Sequence, residues 1–212
     1  MSAESSALLQ LALLWLLYGA LHSLLAGDRV KAFLGAALPA LGRHYRLFYN
    51  LQSVLLLLPL LALTLGWPGP TLWARPPPWN WLLDGAAVLA LIGFHFVNRG
   101  YDLGAFLGLR RPPRPRLGIT WAHRWVRHPW YLYGLILLWS RDMDAAWLVM
   151  SLCLSLYTVI GARLEDAKLV AEFGPVYDEY RRRIPGIIPR PWRSLTRDEA
   201  AALMQVANRP RP

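Results

Sequence analysis

The chain has 212 residues, 55% of them hydrophobic and 17% charged, with a net charge of +10, eleven tryptophans and one cysteine. Its length fits one domain, and its apolar share is high for a soluble one. The lone Cys153 offers neither a disulfide framework nor a metal-ligand set, and a buried, inert thiol is its expected state. A basic chain can serve nucleic acid, but the placement of these charges points to a membrane instead.

Ser6 to Ala26 is almost wholly apolar and about the length that crosses a bilayer. The preceding Met1-Ser2-Ala3-Glu4-Ser5 carries no Lys or Arg, so the stretch reads as a retained span rather than a secretory signal peptide. Leu47 to Gly66, with Pro59 inside, predicts a second span, and about Trp79 to Asn98 a third. Tyr131 to Ser140 is a fourth, short run, and Ala145 to Gly161 a fifth. Arg141-Asp142-Met143-Asp144 between the last two predicts a tight polar turn and hence a helical hairpin. The expectation is an all-α polytopic membrane protein with about five transmembrane helices. A four-span variant would make 131–161 one bent re-entrant element. No strand pattern and no internal repeat is visible. Pro68 to Pro78 and Arg111-Pro112-Pro113-Arg114-Pro115-Arg116 predict stiff connections.

Alternating five spans places 21 of the 23 Lys and Arg on one side, in 27–46, 99–130 and the tail from Ala162. Only Arg75 and Arg141 fall opposite. Basic residues stay cytoplasmic on insertion, so the N-terminus is expected outside and the C-terminus inside, with an inner bacterial membrane as the expected location. The same split removes the case for nucleic acid, because topology and anionic lipid account for the charge.

Polar residues inside spans are costly and often functional. His95 and Asn98 in the third span could line a cytoplasm-facing cavity, or His95 could simply bond a neighbouring helix. Arg127 and His128 precede Pro129, which suits the first turn of a helix. A helix mouth with free N–H groups and a guanidinium is a good carboxylate-binding corner, although both residues could instead meet lipid phosphate. Tyr157, Gly161 and Glu165 recur every four residues and share a helical face. Glu165 near a helix end needs a cationic partner, from the protein or from a ligand. Gly174 can stop that helix and Pro175 can open another, on which Tyr177 and Tyr180 share a face beside Arg181-Arg182-Arg183. Thr196 to Glu199 reads as a capping box opening a short tail helix. The expected division is 1–193 as the membrane domain and 194–212 as a peripheral tail.

Arg127-His128-Pro129-Trp130-Tyr131, Gly134, Glu165-Asp166, Leu169, Phe173-Gly174, Tyr177, Tyr180, Pro185 and Pro189 together resemble the isoprenylcysteine carboxyl methyltransferase superfamily. In the first half, His22 to Ala26, Val30-Lys31 and Tyr45 to Ser53 are similar to the NnrU-like and methanethiol S-methyltransferase branch. The resemblance implies a membrane enzyme that binds S-adenosylmethionine in a cytoplasmic pocket between the last two spans and the C-terminal segment. It implies Arg127, His128 and Glu165 as catalytic residues. Cofactor binding would fall to Arg127, His128, Pro129, Tyr131, Gly134, Glu165, Tyr177 and Tyr180, and the acceptor side to His95, Asn98 and Tyr157. Family members often carry Gly-x-Tyr where this chain has Trp121-Ala122-His123. The partners expected are the bilayer and a small or lipophilic methyl acceptor, a thiol first; no metal is expected. Arg127 would clamp the cofactor's carboxylate, and His128 or His95 would take a thiol's proton. The competing readings are a non-enzymatic NnrU-like membrane component and a sterol-reductase-like oxidoreductase.

Overall fold

The computed structural model describes residues 2–99, 102–110 and 114–209. The prolines at 112 and 113, with Arg111 and Arg211 of the basic count, lie outside them. The chain folds as ten α-helices and two very short strands among the described residues. In order these are α1 (Ala3–Ala26), α2 (Asp28–Ala37), α3 (Pro39–Arg43), α4 (Tyr45–Gly66), β1 (Thr71–Trp73), α5 (Trp79–Asn98), α6 (Leu103–Leu107), α7 (Pro129–Trp139), β2 (Met143–Asp144), α8 (Ala145–Phe173), α9 (Pro175–Arg183) and α10 (Arg197–Ala207). A 3₁₀ turn occupies Ala122–Arg124.

Four helices, α1, α4, α5 and α8, are long and apolar enough to cross a membrane. The protein is an all-α polytopic membrane protein. Apolar side chains of these helices stay exposed, as Leu17, Leu55, Leu89 and Leu156 do, which only a hydrocarbon solvent makes favourable. The fourth apolar run is α7, whose 11 residues rise only about 16 Å.

The chain divides into two compact units. The first comprises Met1–Pro76, Tyr101–Pro113 and Arg141–Tyr157; the second comprises Pro77–Gly100, Arg114–Ser140 and Thr158–Pro212. In the first, α1 packs on α4, and the buried Trp15 donates its indole N–H to Thr64 Oγ1 at 3.2 Å. Thr64 passes its own hydrogen to the Leu60 carbonyl at 2.8 Å, so neither polar group is left bare in an apolar span. The expectation of no strand is corrected here. Thr71 pairs with Asp144 and Trp73 with Met143, antiparallel, and the amides of Ala145 and Ala146 donate to Pro70 and Pro68 at 3.0 Å. The proline-rich loop cannot pair internally, and its carbonyls recruit the reversal at 143–146 as a partner.

In the second unit α5 packs against α7. Gly93 makes the close approach possible: a Cβ there would lie 2.5 Å from Cζ of Tyr133. Phe94 meets Trp130 and Tyr133 with ring centroids 5.4 and 5.6 Å apart. Gly174 ends α8 in a left-handed conformation, φ 64°, and Pro175 opens α9 at its first helical position, as the sequence predicts. The capping box at Thr196–Glu199 also forms. The tail it opens is woven into a core: Leu195 and Ala200 are buried with Tyr177, Tyr180, Ile184, Leu117 and Ile119. Leu195 and Arg124 exchange two hydrogen bonds, from N to O at 3.0 Å and from Nε to O at 2.7 Å. Asn208 clamps both backbone groups of Leu117 at 2.8 and 3.0 Å.

Candidate active site

The site is built where the lead-in to α7 meets the last turns of α8. The amides of Arg127 and His128 donate to the carbonyls of Pro185 and Gly186, each at 2.9 Å. This short backbone pairing fixes both residues before Pro129 starts the helix. Tyr131, one turn on, turns toward α8, where a Cβ on Gly161 would lie 3.6 Å from its hydroxyl.

Asp166, one residue past Glu165, is the hub. Its Oδ1 accepts from Arg127 Nε at 3.0 Å, His128 Nε2 at 3.0 Å and the Tyr177 hydroxyl at 2.7 Å. Its Oδ2 accepts from Arg127 Nη2 at 2.5 Å. Arg127 Nη1 donates to the carbonyls of Arg181, at 3.1 Å, and of Ile184. Four of the five guanidinium hydrogens are therefore spent inside the protein. The carboxylate clamp anticipated at Arg127 is real, but the carboxylate belongs to Asp166. The two amides that lead into the helix are likewise taken, by the carbonyls of Pro185 and Gly186.

His128 lies between two acids. Its Nδ1 faces Glu165 Oε2 at 3.3 Å while Nε2 faces Asp166, and the Tyr131 ring stacks on it at 5.5 Å. Burial opposes its charge, but hydrogen bonds to Asp166 and Glu165 prevail, so its pKa is raised above the ordinary imidazole value. Both ring nitrogens of His128 are thus engaged by the protein's own carboxylates. Glu165 also takes a hydrogen bond from Tyr131, yet its side chain remains 47% exposed against 10% for Asp166. Glu165 is the outward-facing acid of the pair, and Asp166 the inward one.

Tyr180 stands edge-on to Tyr177 at 5.6 Å and donates to the His123 carbonyl at 2.6 Å. Burial pushes the hydroxyls of Tyr177 and Tyr180 far up the scale, and the nearby Asp166 adds to this, so both remain neutral donors. His123, on the 3₁₀ turn, bonds Thr120 Oγ1 through Nδ1 at 2.7 Å. Burial and the neighbouring His128 cation push it down to about 4.

The structure thus brings Arg127, His128, Tyr131, Glu165 and Tyr177 together directly, with Tyr180 beside them and Pro129 as the helix start. A Cβ on Gly134 would meet nothing within 4 Å. His95 is exposed on α5, edge-on to Phe96 at 5.7 Å. Asn98 keeps a buried Oδ1 with no partner among the described residues. Tyr157 belongs to the first unit, packed against His22 and Gly19. Asp166 and His123 are the residues that sequence reasoning missed as site members. The acidic doublet was the available signal for Asp166, since consecutive helical residues point about 100° apart and cannot serve one ligand equally.

The methanethiol S-methyltransferase of Pseudomonas sp. strain GM41 is 31% identical over 190 residues, covering 84% of this chain and 72% of that protein. Methanethiol S-methyltransferase 2 of Bradyrhizobium diazoefficiens is 29% identical over 196 residues, covering 84% and 71%. The chain belongs to the methanethiol S-methyltransferase family. A methanethiol S-methyltransferase of Mycobacterium tuberculosis matches a shorter part, 32% identical over 92 residues, which is 42% of this chain and 37% of that protein. No protein-family profile matches the chain, and no solved structure matches it significantly.

Two histidines of the site give its stability opposite pH limbs. His128 prefers its charged form when folded, so its contribution is complete below about 6.5 and is lost as pH rises through its raised folded value. His123 prefers its neutral form, so its contribution is complete above about 6.5 and is lost as pH falls toward about 4. Thermal unfolding of the second unit, followed by tryptophan fluorescence, is expected to be latest near pH 6.5. His128→Gln should flatten the alkaline limb and His123→Gln the acidic one.

Proposed function

We propose that the protein is an S-adenosylmethionine-dependent membrane methyltransferase acting on a small thiol, with its donor held at the Asp166-centred cluster on the cytoplasmic side. The carrying observation is that Arg127, His128 and Tyr177, scattered over about fifty residues of chain, close around the buried Asp166 carboxylate, while Glu165 and Tyr131 meet the other side of the His128 ring. The names of the relatives supply the acceptor class. The charge split along the sequence supplies the side of the membrane.

S-adenosylmethionine, when bound, supplies a methyl group activated on a cationic sulfonium. The residues fit such a cation better than an anion. Glu165 presents a half-exposed carboxylate suited to an ammonium. Tyr131 presents an aromatic face suited to a sulfonium. Arg127 and Asp166 act one layer behind, locking His128 so that its Nδ1–H steadies Glu165 in one orientation. Pro129 and Gly134 shape α7 for this, and Tyr177 and Tyr180 close the tail side. His95, Asn98 and Tyr157 remain the residues that the sequence reading offers for the acceptor side. What the chain supplies is positioning and exclusion of water.

The test is calorimetry on detergent-solubilised protein. S-adenosylmethionine should bind, and Glu165→Gln should weaken it at least tenfold. In parallel, methanethiol with the donor should yield dimethyl sulfide in the headspace. Absence of binding heat beside a methyltransferase that gives a signal would defeat the reading, and NADPH binding in its place would favour the reductase alternative.

A further inference from the structure

The first unit holds a second polar cluster, inside its spans, that the donor site does not use. It is made by the residues of the N-terminal resemblance: His22 and Ser23 on α1, and Tyr45, Tyr49, Gln52 and Ser53 on α4. His22 Nε2 lies 2.6 Å from the Tyr49 hydroxyl, and Nδ1 lies 3.0 Å from Ser53 Oγ. The proton positions follow by elimination. Ser53 has one hydrogen, and it goes to the Tyr49 carbonyl at 2.7 Å. Ser53 Oγ therefore accepts from Nδ1–H. A neutral imidazole then leaves Nε2 as an acceptor, and the Tyr49 hydroxyl must donate to it. Tyr49, His22 and Ser53 form a relay with a defined direction.

Two further features point to a ligand. Gln52 lies one turn from Tyr49, and both its amide oxygen and its amide nitrogen are buried without a partner among the described residues. Such a group is costly unless something fills it. Tyr49 also lines a chamber of about 260 Å³ with Leu25, Tyr45, Asn50 and Phe106. The chamber shares Lys31, Tyr45 and Arg46 with an adjoining mouth of about 550 Å³, which Arg43 and Arg110 also line. The chamber is smaller than sites for drug-sized ligands, about 300–1,000 Å³. It suits a molecule of a few heavy atoms, and the basic mouth favours one that becomes an anion.

We propose that this cluster binds the acceptor thiol and takes its proton. The proposal rests on the thiol-methylation reading above. The S–H bond breaks with its electron pair left on sulfur. The proton passes to the Tyr49 oxygen as Tyr49's own proton passes to His22 Nε2, and the resulting imidazolium keeps its Nδ1–H on Ser53. The positive potential of Lys31, Arg43, Arg46 and Arg110 offsets the thiolate. Tyr49 and His22 thereby take the role that the sequence reading offers to His128 or His95.

The test uses the full chain in lipid nanodiscs, with ethanethiol titrated by calorimetry in the absence of donor. Wild type should bind ethanethiol. Gln52→Leu, which removes no hydrogen bond of the fold, should bind it at least tenfold more weakly, with S-adenosylmethionine affinity unchanged. With methanethiol as substrate, the wild-type kcat/KM should vary little between about pH 6.5 and 9. For Tyr49→Phe it should climb about tenfold per pH unit as bulk thiolate accumulates. No ethanethiol heat with wild type overturns the proposal, as does a Gln52→Leu protein of undiminished thiol affinity or a Tyr49→Phe profile parallel to wild type. Failure to bind S-adenosylmethionine strikes the donor assignment instead, and the ethanethiol titration still decides this one.

Discussion

Asp166→Ala is expected to destabilise the second unit by about 3–5 kcal/mol, the range for breaking a buried ion pair from one side, and to reduce donor affinity well over tenfold. The loss is large because one carboxylate satisfies three residues at once. Without it the Arg127 guanidinium, its side chain 11% exposed, would be left with no carboxylate partner, and the His128 ring, 3% exposed, with Glu165 alone. Tyr177 would lose its acceptor too. Asp166→Asn separates charge from shape: it keeps the volume but cannot accept from all four donors, and an intermediate loss is expected. Tryptophan-fluorescence melts and donor calorimetry on both variants check this. A donor affinity unchanged in Asp166→Ala would mean that the cluster has no part in holding the cofactor.

Ending the chain at Arg193 should be nearly as damaging, although the removed segment lies far along the sequence from the spans. Leu195 and Ala200, with Leu203 and Met204 packed beside them, cover Tyr177, Tyr180 and Ile184. At about 1.5–3 kcal/mol for each large apolar side chain buried, roughly 4–6 kcal/mol of packing is lost. The exposed α9 would then release Tyr177 from Asp166. Protease cleavage among Arg181, Arg182 and Arg183 should become rapid, and donor binding should fall, while α1, α4, α5 and α8 remain inserted. Asn208→Ala removes only the clamp on Leu117 and should cost about 1–2 kcal/mol. A truncated protein that still binds donor normally would restore the view of the tail as peripheral.

The spans were legible because 18 or more apolar residues in a row have one physical outcome, and the shortness of α7 was legible for the same reason. Gly174-Pro175 and Thr196–Glu199 were legible because backbone chemistry at helix ends is local. The site was legible only as a set of positions. Arg127, His128 and Glu165 do converge, yet the sequence could not tell which member of the Glu165-Asp166 pair would turn inward, since that depends on the phase of α8 against α7. From the sequence Arg127 reads as a ligand clamp; in the fold its fork holds Asp166. The β1–β2 ladder was invisible because three residues of pairing carry no periodicity. The packing of Leu195 into the α9 core was missed because a single leucine after a run of arginines gives no hint of what it covers.

The pairing of Thr71 and Trp73 with Asp144 and Met143, extended by the amides of Ala145 and Ala146, bears on how deep the turn after α7 can lie. A reversal whose peptide groups are bonded to a neighbouring segment does not depend on bulk water for hydration. The 11 residues of α7 can then end in a reversal whose following amides are already satisfied. The proline-rich loop in that sense supplies the acceptors that close the reversal between α7 and α8.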